Sequence, residues 1–285
     1  MKTPTATDTA TTKNATITIT GETRIYGILA DPIHHVQTPQ RMNEHFAALG
    51  HDGVLVPLHA GADTLAQVIQ GLRGLRNLGG VIVTVPHKTA IVGLCDEVSD
   101  SARLIGAANV VRREADGRMV GHMLDGEGFV GGLRDAGVEP RGRSAYLAGA
   151  GGAANAIAFA LVQAGVSRLT IANRTRAKAE DLKQRLARLD AAADVVVGTP
   201  DPSGHDLVVN ATSLGLREGD ALPLDAARLT PDQRVCEIIM QPRETALLRA
   251  ARQRGCPVHY GAPMLAAQIA LMARFLGVPG PAAAA

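Results

Sequence analysis

Short runs rich in valine, isoleucine and leucine alternate with longer amphipathic segments along most of the chain. The runs indicate strands near 24–29, 54–58 and 81–85, with helices at about 39–49 and 64–76 between them. Parallel strands joined by crossover helices produce this alternation, because each strand must be followed by a segment that returns the chain to the same edge of the sheet. The pattern predicts an α/β fold.

The first group of strands ends in a hairpin and gives way to a second group. Runs at 108–112 and 118–122 flank Asp116-Gly117, a dipeptide typical of tight turns. A linking helix is indicated at about 127–136, and the run 137–143 that follows it is rich in glycine, proline and charge. We therefore expect a second structural unit after this run.

The second unit opens on a strand at 145–148 and repeats the alternation. Its further strands and its last helix are indicated at 168–172, 194–197, 206–210, 234–238 and about 263–277, with Pro263 in the first turn of the helix. A chain of 285 residues is long enough for two such units, each with its own core.

Composition excludes several kinds of partner. The net charge of +2 produces no field that would recruit nucleic acid or anionic lipid, and with 2% aromatic residues the chain lacks stacking platforms for single-stranded nucleic acid. No apolar run reaches the roughly 18 residues that span a bilayer. We expect a small-molecule substrate, no nucleic acid and no membrane, and leave open whether the protein is a monomer or a homodimer.

The cysteines and the N-terminus indicate a cytoplasmic protein. Cys95, Cys236 and Cys256 are scattered and odd in number, which fits neither a disulfide framework nor a zinc site, so reduced thiols are expected. No spacing of His, Cys and Asp suggests a metal. Residues 1–21 are polar and threonine-rich rather than an apolar signal core, and are predicted to be a disordered tail.

A glycine-rich loop after the strand at 145–148 carries the clearest functional signal. Gly149, Gly151 and Ala154 form the pattern Gly-x-Gly-x-x-Ala. The first glycine permits a tight turn, the second lets the backbone approach a pyrophosphate, and the alanine allows close packing of a helix whose N-terminus faces the anion. A helix-packing glycine cluster is the alternative, but the strand, the loop and the next strand fall at the distances of a dinucleotide-binding unit.

The end of the next strand distinguishes NADP from NAD. An NAD enzyme would carry Asp or Glu there to accept from the ribose 2′-hydroxyl, whereas this chain has Asn173, Arg174 and Thr175, with Lys178 shortly after. A guanidinium, a hydroxyl and an ammonium can surround a phosphate. A solvated helix start capped by Thr175 is the alternative. The position directly after the second strand of the unit favours NADP as the cofactor.

Further segments between residues 26 and 268 resemble the shikimate dehydrogenase family. The segments that are similar to motifs of that family are 31–39, 80–88, 106–109, 121–128, 210–215, 242–247 and 264–268. The resemblance implies a substrate-binding catalytic domain at 22–125 completed by a C-terminal segment at 261–285. It also implies a Rossmann-like NADP-binding domain at 126–260 and a cleft between the two domains that holds both ligands.

The resemblance also implies an activity and a set of site residues. The family reduces 3-dehydroshikimate to shikimate reversibly with NADPH, a step of the shikimate pathway of aromatic amino acid biosynthesis. Its catalytic lysine and aspartate correspond to Lys88 and Asp125, and its substrate contacts to Thr84, Asn109 and Gln268. The candidate cofactor-binding residues, from the loop, the strand end and the resemblance together, are Gly149, Ala150, Gly151, Gly152, Ala153, Asn173, Arg174, Thr175, Lys178, Thr212, Ser213 and Gly261.

Residue chemistry supports the catalytic pair. Reducing a ketone needs a hydride on carbon, which a nicotinamide supplies, and a proton on oxygen, which a positioned acid must supply. An ammonium opposite a carboxylate can donate that proton and stabilise the developing alkoxide. Lys88 and Asp125 each follow a predicted strand, so both can face one cleft. A lone Lys or Asp is usually a solvated surface charge, and the flanking motifs reverse that expectation.

The chain departs from the family pattern at substrate-binding positions. In the loop whose paired hydroxyls hold the substrate carboxylate, Val36 replaces the first serine and Thr38 the second. Apolar residues also replace two asparagines, a threonine and a tyrosine, at Ile82, Met123, Leu124 and Met240. We expect these apolar residues to line the substrate pocket. A lost hydrogen bond in a closed site costs roughly 1 to 3 kcal/mol, so shikimate itself is expected to bind weakly.

Three functional hypotheses follow. The favoured one is an enzyme for a less polar cyclic keto acid, whose oxidisable hydroxyl lies where Lys88, Asn109 and Asp125 converge. The second is a shikimate dehydrogenase that tolerates the changes. The third is a non-catalytic NADP-binding regulatory or sensing protein of the same fold, which predicts a damaged catalytic pair, whereas both members are present.

Overall fold

Two six-stranded sheets with helices around them make up the described part of the chain, which confirms the predicted α/β fold. The structure is a computed structural model that describes residues 18–34, 36–189 and 191–280. Most of the predicted N-terminal tail, 1–21, lies outside the described residues.

The first sheet lies in the N-terminal unit and is mixed. Its strands are β1 (Arg24–Ala30), β2 (Gly53–His59), β3 (Leu78–Val83), β4 (Glu97–Val98), β5 (Val110–Arg113) and β6 (Met119–His122). The spatial order is β2-β1-β3-β5-β6-β4. The parallel core of β2, β1 and β3 follows the predicted alternation, and the antiparallel pair of β5 and β6 is the predicted hairpin.

Three helices belong to the first unit: α1 (Thr38–Ala48), α2 (Leu65–Arg73) and α3 (Asp100–Ile105). α3 begins after Ser99, whose hydroxyl accepts the Ala102 N–H, and ends at Gly106 with a φ of 72°. The sequence analysis did not predict α3 or β4, because six and two residues are too short to show a hydrophobic period.

The second unit is a parallel sheet covered by helices. Its elements in chain order are α4 (Asp125–Asp135), β7 (Ser144–Ala148), α5 (Gly152–Gln163), β8 (Arg168–Ala172), α6 (Arg176–Leu186), β9 (Asp194–Val197), β10 (Leu207–Asn210), β11 (Arg234–Glu237), α7 (Ala246–Gln253) and β12 (Val258–His259). The spatial order is β12-β11-β10-β7-β8-β9, and every pair is parallel. This is the doubly wound arrangement of dinucleotide-binding folds.

The last helix, α8 (Ala262–Phe275), returns to the first unit and has Pro263 in its first turn, as predicted. Its buried side chains join the apolar core around β1 and α1, where Leu265, Ile269 and Met272 pack with Tyr26 and Phe46. The C-terminal helix therefore completes the core of the N-terminal unit.

Helix α4 lies between α5 and α8 and joins the two units. A Cβ atom at Gly126 would lie 2.3 Å from the carbonyl oxygen of Ala156 on α5, and one at Gly132 would lie 2.8 Å from the carbonyl carbon of Pro263 on α8. Only glycine permits such close approach of the backbones. As a result Asp125, the first residue of α4, lies where the two units meet.

Most predicted elements agree with the structure to within about two residues, as is usual for helix and strand ends. β3 ends at Val83, two residues early, because the chain turns through Val85 and Pro86 toward the space between the sheets. α2 ends three residues early, because Gly74 follows Arg73. The domain boundaries at 125 and 260 stay a prediction.

Candidate active site

One cavity of about 1290 Å³ lies between the two units and is lined by the residues predicted for catalysis, substrate binding and cofactor binding, with the exception of Met123 and Leu124. It opens at the carboxyl ends of β1, β3, β7 and β8, where the connecting loops of both sheets meet. Ligands of open α/β sheets bind at this edge, because strand ends and helix N-termini present loops and backbone N–H groups there. The structure therefore brings the predicted site residues together.

Lys88 and Asp125 form a buried ion pair in this cavity. The Lys88 ammonium donates a hydrogen bond to Oδ2 of Asp125, and the two side chains are 14% and 4% exposed. Asn109 Nδ2 donates to the other carboxylate oxygen at 2.8 Å, and Gln268 Nε2 approaches the same oxygen at 3.4 Å. The carboxylate also lies at the N-terminus of α4, where negative charge is favoured. These contacts hold the Lys88 ammonium at a defined place in the cavity.

The backbone around Lys88 is fixed by a residue that the sequence analysis left unassigned. His87 is 1% exposed, and its Nε2 donates to the carbonyl oxygen of Ala60 at 2.8 Å. On the other side, the Ala108 N–H donates to the carbonyl oxygen of Lys88 at 2.8 Å. No sequence signal pointed to this role, because the partner of His87 is a backbone carbonyl 27 residues away.

The glycine loop has the geometry predicted for a dinucleotide site. Gly149 has a φ of 119°, and a Cβ atom there would lie 2.8 Å from the carbonyl oxygen of Ala211, so only glycine fits. Gly151 is the N-cap of α5, which leaves the first N–H groups of that helix facing the cavity. A Cβ atom at Gly152 would lie 3.2 Å from Cβ of Lys88, so the loop lies against Lys88.

The residues after β8 form a cationic end of the cavity. Arg174, Thr175 and Lys178 line it, and the side chain of Thr175 makes no capping hydrogen bond to α6 although it occupies the N-cap position. Within the described ranges neither Arg174 nor Lys178 takes part in an ion pair. An uncapped hydroxyl beside two unpaired cations fits a phosphate better than a solvated helix start.

A second loop of the cofactor side is shaped by Asn210 and the fully buried Glu237. Asn210 Oδ1 accepts from the N–H and hydroxyl of Thr212 at 3.0 and 2.7 Å, which places Thr212 and Ser213 in the cavity. Asn210 Nδ2 donates to Glu237 at 3.0 Å, and Thr245 donates to the same carboxylate oxygen, also at 3.0 Å. Burial raises the pKa of Glu237, and these hydrogen bonds act against that rise.

Glu237 also fixes the turn that carries Met240. Its other oxygen accepts from the N–H groups of Ile238 and Ile239 at 2.9 and 3.1 Å. The sequence analysis missed Glu237, although Asn210 and Thr245, which it quoted within motifs, were the available signal.

The substrate side of the cavity is an apolar surface continuous with the first core. Val36 and Met240 are half-buried and pack against the cluster that contains Ile28, Ile82 and Met272, and all five line the cavity. The apolar replacements at Val36, Ile82 and Met240 therefore lie where the sequence analysis expected them.

Two of the five apolar replacements were placed wrongly. Met123 and Leu124 are 3% and 4% exposed and do not line the cavity. Met123 packs in the core of the second unit, and Leu124 packs in the first core, behind the apolar surface. Only the backbone of Leu124 serves the site, because its N–H donates to Oδ1 of Asn109 at 2.8 Å. The expectation failed because the spacing of a motif does not fix the direction of each side chain.

A dinucleotide loop that abuts a buried lysine–aspartate pair in one cavity defines an oxidoreductase that acts on a CH–OH group with a nicotinamide cofactor. In the described ranges no helix is long and apolar enough to cross a bilayer, and no cluster of His, Cys, Asp and Glu could hold a metal ion.

Comparison with known proteins identifies the family. Residues 28–111 match the shikimate dehydrogenase substrate binding domain, and residues 136–198 match the shikimate / quinate 5-dehydrogenase family. A shikimate dehydrogenase (NADP(+)) of Rubrobacter xylanophilus is 46% identical over 253 residues, which cover 87% of this chain and 88% of that protein. The chain belongs to the shikimate dehydrogenase family.

Solved structures of different specificity share the fold. Shikimate 5-dehydrogenase of Thermus thermophilus, in complex with NADP(H) and shikimate, is 31% identical with a TM-score of 0.81, over 90% of this chain and 95% of that one. The ligand-free 5-ketofructose reductase of a Gluconobacter strain is 30% identical with a TM-score of 0.76, over 89% of this chain and 92% of that one. The fold thus serves more than one substrate.

Proposed function

We propose that Lys88 and Asp125 carry out proton transfer to or from a cyclic hydroxy acid that has fewer polar ring substituents than shikimate. The chain is an NADP-dependent oxidoreductase of the shikimate dehydrogenase family. What the proposal adds is the assignment of the site residues and the class of substrate.

The cofactor site fits NADP. The loop at Gly149–Gly151, which a Cβ atom at Gly149 would disrupt, and the N-terminus of α5 suit a pyrophosphate. The unpaired side chains of Arg174 and Lys178 suit the 2′-phosphate. When bound, the nicotinamide accepts or supplies a hydride.

The catalytic pair supplies the proton. In the direction of reduction the Lys88 ammonium donates a proton to the substrate oxygen as negative charge develops on it. Asp125 holds the ammonium through Oδ2, while Asn109 and Gln268 hold the other carboxylate oxygen, so the pair keeps one orientation. In the direction of oxidation the same nitrogen, as the neutral amine, accepts the proton of the substrate hydroxyl. An intact pair with these supports favours catalysis over a non-catalytic sensing role.

The substrate class follows from the apolar surface beside the pair. Ile82 lies opposite Ile28 on β1 and Val110 on β5, so its side chain is part of the packed face of the sheet. Val36 and Met240 extend that face into the cavity. Hydroxyl groups of a substrate would contact hydrocarbon there, and they would lose their hydrogen bonds to water without forming new ones with the protein. This observation carries the proposal, and a less substituted ring fits the surface better.

The polar side chains that remain lie close to the catalytic pair. Thr84, Asn109 and Gln268 line the cavity as the family pattern implies, and Thr38 supplies a buried hydroxyl at the start of α1. They are sufficient for one oxidisable hydroxyl and one further polar group of the substrate. A screen of shikimate, quinate and less hydroxylated cyclic or aromatic acids with NADP⁺, followed by identification of the product, tests the proposal. Shikimate as the best substrate would contradict it.

A further inference from the structure

The C-terminal end of α3 receives hydrogen bonds from the other structural unit. Within the first unit, Gly106 and Ala107 both donate to the carbonyl oxygen of Ala102. The carbonyl oxygens of Leu104 and Ile105, which the helix itself leaves open, accept instead from helices of the cofactor-binding unit.

Two side chains make these contacts. Nη1 of Arg185 on α6 donates to the carbonyl oxygen of Leu104 at 3.2 Å and to that of Ile105 at 2.5 Å. Nδ2 of Asn155 on α5 donates to the carbonyl oxygen of Ile105 at 3.3 Å. Arg185 is oriented by Asp181, which accepts from its Nε at 2.9 Å. A cation at the C-terminal end of a helix also meets the negative end of the helix dipole.

Both helices begin at candidate cofactor-binding residues. Asn155 lies four residues after Gly151 on α5, and Arg185 lies seven residues after Lys178 on α6. Each of the two helices therefore joins the candidate cofactor site to the end of α3.

The segment that leaves α3 leads directly to the catalytic pair. Ala108, three residues beyond Ile105, donates its N–H to the carbonyl oxygen of Lys88 at 2.8 Å. The next residue, Asn109, donates to Asp125 at 2.8 Å. The segment that follows α3 is therefore joined by hydrogen bonds to both Lys88 and Asp125. With only six residues, α3 has little stability of its own.

We propose that Arg185, assisted by Asn155, is a positioning residue that couples the cofactor-binding helices to the catalytic pair through the end of α3. Arg185, Asn155 and Asp181 also line the cavity, but within the described residues no hydrogen bond or ion pair joins Arg185 to Lys88 or Asp125. We therefore assign its effect on hydride and proton transfer to the 104–109 segment. The inference rests on the proposed assignment of Lys88 and Asp125 as that pair.

The test compares variants of one helix. Arg185→Met keeps the aliphatic stem and removes the donors, and Arg185→Lys restores one cationic donor. Arg176→Met is the matched control, because Arg176 is 67% exposed and, among the residues that the structure describes, pairs with Glu180 on its own helix alone. Turnover is measured with shikimate as the probe and saturating NADP⁺, at enzyme concentrations that allow slow oxidation to be followed. Shikimate deuterated at the oxidised carbon gives the isotope effect, and titration gives the dissociation constant of NADP⁺.

We expect Arg185→Met to lower kcat by about tenfold or more, while the dissociation constant of NADP⁺ changes by less than about threefold. The isotope effect on kcat should rise, because hydride transfer becomes slower relative to product release. Arg185→Lys should recover part of kcat, and Arg176→Met should behave like the parent.

Two results would overturn the inference. One is a kcat for Arg185→Met equal to that of the parent, and the other is a fall in kcat without a change in the isotope effect, which indicates general structural damage. Lys88→Ala, assayed in parallel, separates the two proposals. If that variant keeps its turnover, the catalytic assignment is wrong, whereas an inactive Lys88→Ala with a parent-like Arg185→Met contradicts the coupling alone.

Discussion

The cofactor half of the cavity and its substrate half differ in how they relate to the family pattern. The cofactor half keeps the glycine loop and presents Arg174 and Lys178 to the cavity. The proposed substrate half keeps Lys88 and Asp125 but presents hydrocarbon from Val36, Ile82 and Met240 to the same cavity. This difference supports the proposal that the reaction depends on a few hydrogen-bonded residues, while recognition of the rest of the substrate changes around them.

The largest effect, a loss of turnover, is expected from substitutions at Lys88 and Asp125. Lys88→Ala and Asp125→Ala should each lower turnover by about a hundredfold or more, because the proton then lacks its donor or the donor lacks its orientation. The dissociation constant of NADP⁺ should change little, since neither side chain is assigned to the cofactor. Steady-state kinetics and cofactor titration check this, with Lys183→Ala, at an exposed lysine that does not line the cavity, as the control.

If either variant kept near-normal turnover on the best substrate, the pair would be wrongly assigned. Circular dichroism should show both variants to be folded.

A smaller effect, on the affinity for the cofactor, is expected at the cationic end of the cofactor half. The parent should bind NADP⁺ about tenfold or more tightly than NAD⁺, because Arg174 and Lys178 are available to the 2′-phosphate. Arg174→Ala should weaken NADP⁺ binding and leave NAD⁺ binding nearly unchanged. Isothermal titration of both cofactors with both proteins measures the difference. Equal affinity of the parent for the two cofactors would show that the cationic end does not bind the 2′-phosphate.

The smallest effect concerns the free energy of unfolding, at the place where the two structural units pack against each other. Gly132→Ala should lower the free energy of unfolding by about 1 to 3 kcal/mol, because the added methyl meets the backbone of Pro263 on α8. Gly71→Ala, at an exposed position in the last turn of α2 with no atom near the added methyl, should raise the free energy of unfolding by up to about 1 kcal/mol. Urea unfolding measures both, and equal changes in the two variants would contradict the close packing of α4 against α8.

The sequence predicted the parts of the site that depend on local motifs. The glycine loop, Lys88 and Asp125 lie in short segments whose spacing implies their place at strand ends. His87, Arg185 and Glu237 were missed. His87 and Arg185 bind backbone carbonyls 27 and 80 residues away, which carry no residue signature. Glu237 binds the side chain of Asn210, 27 residues away, and the backbone N–H group of the residue that follows it.

Side-chain direction was the other limit of the sequence analysis. Met123 and Leu124 were expected in the pocket with Ile82, yet the structure buries both in the cores on either side of the catalytic aspartate. Two consecutive residues before a helix point in directions that only the packed structure determines. Short elements such as α3 were also beyond prediction, although α3 leads to the catalytic pair.

The central claim is that the apolar surface, and not the catalytic pair, decides which substrate is oxidised. It is tested by restoring the polar side chains that line the cavity, Val36→Ser and Ile82→Asn, singly and together. Leu124→Thr is the matched control, because it also restores a family residue but lies outside the cavity. Thermal unfolding of each variant, followed by circular dichroism, confirms that the assay compares folded proteins.

The most direct measurement is kcat/KM of NADPH formation across a series from shikimate to less hydroxylated cyclic acids, for the parent and these variants. We predict that kcat/KM of the parent for shikimate is about a hundredfold or more lower than kcat/KM for the best substrate. Two lost hydrogen bonds at roughly 1.5 kcal/mol each exceed the roughly 2.7 kcal/mol to which a hundredfold difference corresponds. The double variant should show a larger increase in kcat/KM for shikimate than either single variant, and Leu124→Thr should show no increase. Efficient oxidation of shikimate by the parent would contradict the account.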